Sequence, residues 1–84
     1  MSLSRVLDIM VSIMSTMTED SQYDDYAIAF EEIESIVESL GESHAVSKAY
    51  NDLMKEMYIC KGSLDCASSD LEVFAEYVRQ HTMR

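Results

Sequence analysis

Carboxylates dominate the side chains in this sequence that can do chemistry. From Phe30 to Ser43 the chain reads FEEIESIVESLGES, with five glutamates and no lysine or arginine. Asp24, Glu31, Glu34, Glu38 and Glu42 follow one another at steps of three, four and seven residues. On an α-helix those steps place all five within about 80° of one another, spaced by roughly 5 to 10 Å along the axis. Asp25 and Glu32 form a second, shorter row. Between the rows runs an outward strip of Ile28, Ser35 and Ser39. Like charges at such spacings repel by a few tenths of a kcal/mol per close pair, and no lysine is placed to relieve them.

Two roles fit a stripe of this kind. One is a solvated face that aids solubility, its repulsion screened by salt. The other is a docking surface for a basic protein groove. In that role the acids imitate the phosphates of DNA, giving salt-sensitive binding, or they steer association while apolar anchors hold the complex. Ile28, between the two rows, fits an anchored interface better than a pure phosphate mimic, although single exposed apolar residues are common.

Other chemistries have weaker grounds. Asp20, Gln22, Asp24 and Glu31 echo a calcium loop, but Asp25 stands where the loop needs glycine, and the segment also carries a helical apolar seam. Cys60, Cys66, His81 and His44 supply enough atoms for zinc, yet C-x5-C with a distant histidine is no recognised finger or ribbon spacing. No metal or other cofactor is therefore expected. A catalytic role would need a perturbed nucleophile or base. Cys66 near a helix start is the best candidate, and no imidazole on its own helix is near it. There is no glycine-rich phosphate loop and no H-E-x-x-H. The expectation is a protein that is not an enzyme.

These side chains must be carried by something, and the composition says what. The chain has 84 residues, enough for one domain spanning 1–84. It has no proline, two glycines and seven methionines, which favours helices over a sandwich or barrel. Its net charge is −10. No basic residue lies between Arg5 and Lys48, so the whole excess falls in the first half. Such a field repels nucleic acid and acidic membranes and attracts basic partners. The apolar stretch VLDIMVSIM is broken by Asp8 and too short to span a bilayer. With no targeting segment in view, the expectation is a soluble cytoplasmic protein whose two cysteines stay free, Cys60 buried and Cys66 partly exposed. A disulfide across the intervening turn is geometrically possible but not expected in that compartment.

Apolar periodicity predicts an all-α fold: a small antiparallel bundle of four amphipathic helices over about 3–17, 22–40, 44–61 and 64–81. Leu3, Leu7, Met10, Met14 and Met17 mark the first, widened by Val6, Ile9, Val11 and Ile13. A face of that width is either central in one bundle or buried on two sides, the second by another chain. The second helix has a seam of Tyr23, Tyr26, Phe30, Ile33, Val37 and Leu40 and a stop at Gly41. Ser43 is the expected cap of the third, with Val46, Ala49 or Tyr50, Leu53, Met57 and Cys60 inside. The fourth buries Leu71, Phe74 and Val78. Ser63 can cap it, or a capping box from Ser69 to Glu72 can start it later. Met10, Met14, Val73 and Tyr77 are candidate contacts of a homodimer.

The charge pattern is best served by a small acidic inhibitor. Its partner would be a basic nucleic-acid-handling protein, met through Asp24, Asp25, Ile28, Glu31, Glu32, Glu34, Glu38 and Glu42. Proteins of this class, by analogy only, are encoded by phages or mobile elements and block host defence or transcription enzymes, as anti-CRISPR, anti-restriction and DNA-mimic proteins do. In that case it would work in the host cytoplasm. The alternatives are an immunity protein that neutralises a basic toxin, and a helical dimer serving as an assembly or adaptor module. Direct binding to nucleic acid or membrane is not expected.

Overall fold

Helices form where apolar residues recur at steps of three and four, and burial follows that spacing. The computed structural model describes residues 3–82. It contains α1 (Leu3–Thr16), α2 (Ala27–Leu40), α3 (Ala45–Ile59) and α4 (Ser68–Thr82), with a short 3-10 turn, Tyr23–Tyr26, ahead of α2. α1 packs against α4 and α2, and α3 packs against the same two helices, which closes a ring around one core. The fold is the all-α four-helix bundle that the periodicity predicts, with no strand among the described residues. Gln22 and Ser63 alone pair across their backbones as an isolated antiparallel bridge. Among the described residues no helix is long and apolar enough to cross a membrane.

Phe30, Phe74, Met10, Ile13, Ile33 and Leu71 lie at the centre of the core. The wide apolar face of α1 is divided between its two neighbours, so the central-helix reading accounts for most of it. Val6, Ile9, Met10 and Ile13 are buried, Leu7 and Met14 are half-buried, and Val11 is exposed. Ile36 joins the expected α2 seam, and Leu64 is fully buried ahead of α4.

Three element boundaries depart from the sequence reading, each because a polar contact overrides the local pattern. The second helix starts at Ala27, not Gln22. Gln22 is extended (φ −119°, ψ 158°) and its N–H donates to the Asp25 carboxylate at 2.9 Å. The adjoining Tyr23 N–H donates to the Gly62 carbonyl at 2.7 Å, and the Leu64 N–H to Ser21 at 3.2 Å. This short ladder holds the segment out of the helix. The cap of α3 is His44 rather than Ser43, its Nδ1 accepting from the Val46 N–H at 3.0 Å. The fourth helix starts at Ser68. Before it, the Ser63 hydroxyl accepts from the Cys66 N–H at 3.2 Å and shapes a turn over residues 63–67.

The α3–α4 connection reverses direction through two residues at positive φ, Lys61 (55°) and Gly62 (85°). Glycine is favoured at the second of these chiefly by its positive φ, and a Cβ would meet Gln22 Oε1 at 3.2 Å. The two cysteines on either side are joined as a Cys60–Cys66 disulfide. This corrects the expectation of free thiols. Six residues apart, on a tight turn, their Cα atoms come within 5.7 Å, inside the range a disulfide spans. Cys66 is exposed and Cys60 half-buried rather than buried.

Candidate functional site

The α2 surface is built by a helix that turns Phe30, Ile33, Ile36 and Val37 inward and its carboxylates outward. Glu31, Glu34 and Glu38 form the helical part of the row. Asp24 precedes it on the 3-10 turn and Glu42 follows the Gly41 stop, so the row is longer than the helix. All five are exposed, and among the described residues none pairs with a basic side chain. Ile28 stands beside them, 83% exposed.

The second row has a different character. Glu32 receives the Arg5 guanidinium through two hydrogen bonds, at 2.6 and 3.0 Å, which joins α2 to α1. The hydrogen bond and the positive charge hold the Glu32 carboxyl below the usual carboxylate range. Asp25 caps the Gln22 N–H. Both therefore have partners inside the molecule, which helical spacing alone does not reveal.

Two tyrosines register the field of the first row. Tyr23 stacks on Phe30, with ring centroids 4.7 Å apart. Its phenol is raised above the ordinary value by burial, then by the charges of Glu34, Glu31 and Asp24. Tyr50, behind it, donates to the Phe30 carbonyl at 3.4 Å and is raised further, first by burial and then by Tyr23, Glu34 and Glu38. Asp24, Glu31, Glu34 and Glu38 thus act on the same pair of stacked and buried rings.

Tyr23 also forms one wall of a feature the sequence did not disclose, a groove of about 720 Å³ between the 3-10 turn and the end of α3. A second groove, of about 660 Å³, runs between α1 and α4. Met14, Val73 and Tyr77, three of the candidate dimer contacts, line it together with Leu7 and Val11. The fourth, Met10, does not. It is fully buried in the bundle core, so it has no surface to offer another chain.

The cysteines and histidines have local partners. Cys60 and Cys66 are joined to each other, His44 caps α3, and His81 contacts the Tyr77 carbonyl at 3.0 Å through Nδ1. The two histidine rings lie 6.2 Å apart between centroids, an approach not evident from their separation in sequence. Among the described residues no three His, Cys, Asp or Glu side chains are grouped to hold a metal ion. Comparison with known proteins returns no match to a family model, a curated protein or a solved structure.

Proposed function

We propose that the protein is a small acidic inhibitor that binds a basic, nucleic-acid-handling protein through the outer face of α2. The observation that carries this reading is the row Asp24, Glu31, Glu34, Glu38 and Glu42, exposed together and without a basic partner among the described residues. Stability does not select such a row. Its members repel one another, and Glu38 lies near the C-terminal end of α2, where the helix dipole disfavours a carboxylate. Along α2, Glu31, Glu34 and Glu38 are spaced by roughly 5 to 6 Å, the order of the phosphate spacing along a nucleic-acid strand, so a groove built for phosphates can accept them. The protein acts by occupying that groove, with no covalent step.

The test is a comparative pull-down from bacterial lysate. The baits are the wild type and the fourfold variant Glu31→Gln, Glu34→Gln, Glu38→Gln and Glu42→Gln, both shown to be folded. Capture of a nucleic-acid enzyme by the wild type and its loss by the variant supports the reading. DNA should then compete with the protein for that enzyme, and binding should weaken steeply with salt. Equal capture by both baits overturns it.

The α1–α4 groove supports a second reading, a dimeric assembly module. Val11 and Val73 are exposed on that groove at 52% and 67%. Here Val11→Asp with Val73→Asp abolishes self-association measured by sedimentation, while the fourfold glutamine variant leaves it intact.

A further inference from the structure

Tyr58 and Ile59 are successive residues on the last turn of α3, and they are 86% and 67% exposed. A single exposed apolar side chain is ordinary, whereas two large ones on the lip of a concave surface mark a contact site. They border the groove with Met54, Tyr23, Asp24 and Lys61. Its volume, about 720 Å³, lies in the range of pockets that accept large side chains. A second, more open depression shares Met54, Tyr58 and Ile59 and adds Lys55, so the two exposed side chains line both hollows.

The groove is preformed. Tyr23 is held by its stacking on Phe30 and by its N–H bond to Gly62. Gly62 in turn donates to the Met57 carbonyl at 2.9 Å, and the Cys60–Cys66 bridge closes the same turn. On that wall little backbone ordering is left for a partner to impose, which lowers the cost of binding. Met54 adds an adaptable, polarisable wall.

Charge changes sign across this groove. Asp24 stands on the α2 side, with Glu31 and Glu34 close enough to act on the same tyrosine. Lys61 stands on the α3 side, with Lys55 in the adjoining hollow. An occupant that matches both sides carries an apolar face with basic residues along one flank only. The bundle has no strand among the described residues to which an extended peptide could add, so recognition is by side chains, as in helix-in-groove binding. A second copy of the chain is a poor occupant, because each copy brings a net charge of −10 to the most acidic side of the other.

We infer that this groove seats an amphipathic helix of the basic partner, which inserts a leucine- or phenylalanine-sized side chain beside Tyr58 and Ile59 and lays its basic flank along Asp24, Glu31 and Glu34. The inference rests on the reading of the α2 face as the docking surface and assigns that surface its anchor.

The experiment uses isotope-labelled protein, NMR shift mapping and two synthetic probes. One is a helical peptide with a leucine face, lysines on one flank and glutamines on the other. The other is oligolysine, which reports on the acid face alone. The expected result is saturable binding of the amphipathic peptide, with shifts centred on Tyr23, Met54, Tyr58, Ile59 and Lys61. Tyr58→Ser with Ile59→Ser, both at exposed positions and checked for folding by circular dichroism, weakens that binding about tenfold or more and leaves oligolysine binding unchanged. Shifts along α2 with unchanged affinity in the serine variant overturn the groove and leave the acid face standing. Failure of oligolysine to shift the α2 row counts against the acid face itself. Shifts in the α1–α4 groove, or self-association of the wild type that the serine variant abolishes, overturn the proposed occupant.

Discussion

Tyr23 touches both halves of the surface, stacking on Phe30 below the acid row and lining the groove. Burial and the carboxylates of Glu34, Glu31 and Asp24 raise its phenol above the ordinary 10.0. A spectrophotometric titration therefore finds a Tyr23 midpoint above that value, and Glu31→Gln with Glu34→Gln moves it part of the way back. The part due to burial, the largest single cause, remains. Because the folded-state pKa is the raised one, the protonated phenol contributes stability that is complete below the unfolded-state value. That stability is lost as pH rises from the unfolded-state value through the folded one, so alkaline unfolding sets in above about pH 10. At this scale the sequence shows which residues are acidic and evenly spaced. It does not show that Asp25 and Glu32 have internal partners. Arg5 reaches Glu32 across 27 residues of chain, and that contact exists only once α1 lies beside α2.

The helices themselves were largely legible. Each is amphipathic with a period near 3.6, and that pattern depends only on residues within a few turns. Their ends were less so. Locally only the Asp25 carboxylate, which accepts from the Gln22 N–H, opposes a helix there; the Gly62 carbonyl and the Ser21–Leu64 contact complete the stop from a loop some forty residues on. Histidine is an uncommon cap, and here the His44 Nδ1 accepts from the Val46 N–H in place of a Ser43 hydroxyl. The Cys60–Cys66 bridge braces the same region. In the chain-entropy account a loop of this size is worth about 2 kcal/mol. Reduction, or Cys60→Ser with Cys66→Ser, lowers the unfolding free energy measured in urea by about that amount. Hydrogen exchange quickens first over residues 60–66 and at Tyr23, whose N–H bonds to that turn. Unchanged stability and unchanged exchange on reduction would show that the turn holds itself without the bridge.

Over the whole molecule, charge and packing are separated. Apart from Asp8 on α1, the acids of the first half lie on α2 and the segments flanking it, while the lysines occupy α3 and the turn after it. A chain with this imbalance repels itself when folded. Added salt screens the repulsion, so the melting temperature of the wild type rises with ionic strength. The fourfold glutamine variant melts higher than the wild type at low salt, by the equivalent of about 0.5 kcal/mol for the two close helical pairs relieved, Glu31 with Glu34 and Glu34 with Glu38, and its salt dependence is flatter. A variant that melts lower would mean that the glutamates make favourable contacts within the fold.

Composition and local spacing by themselves determined the helical class, the four amphipathic segments and the one-sided placement of charge, because each depends on residues a few positions apart. Only the tertiary structure decided which acids have internal partners, where α2 begins, that Cys60 meets Cys66, and that Met10 is core while Met14 lines a groove. It alone brought Tyr23 and Asp24 onto one groove with Met54, Tyr58 and Ile59, thirty or more residues away in sequence. The physical reason is that periodicity specifies which face of a helix turns inward. A concave surface and a long-range ion pair depend on how two such faces are set against each other.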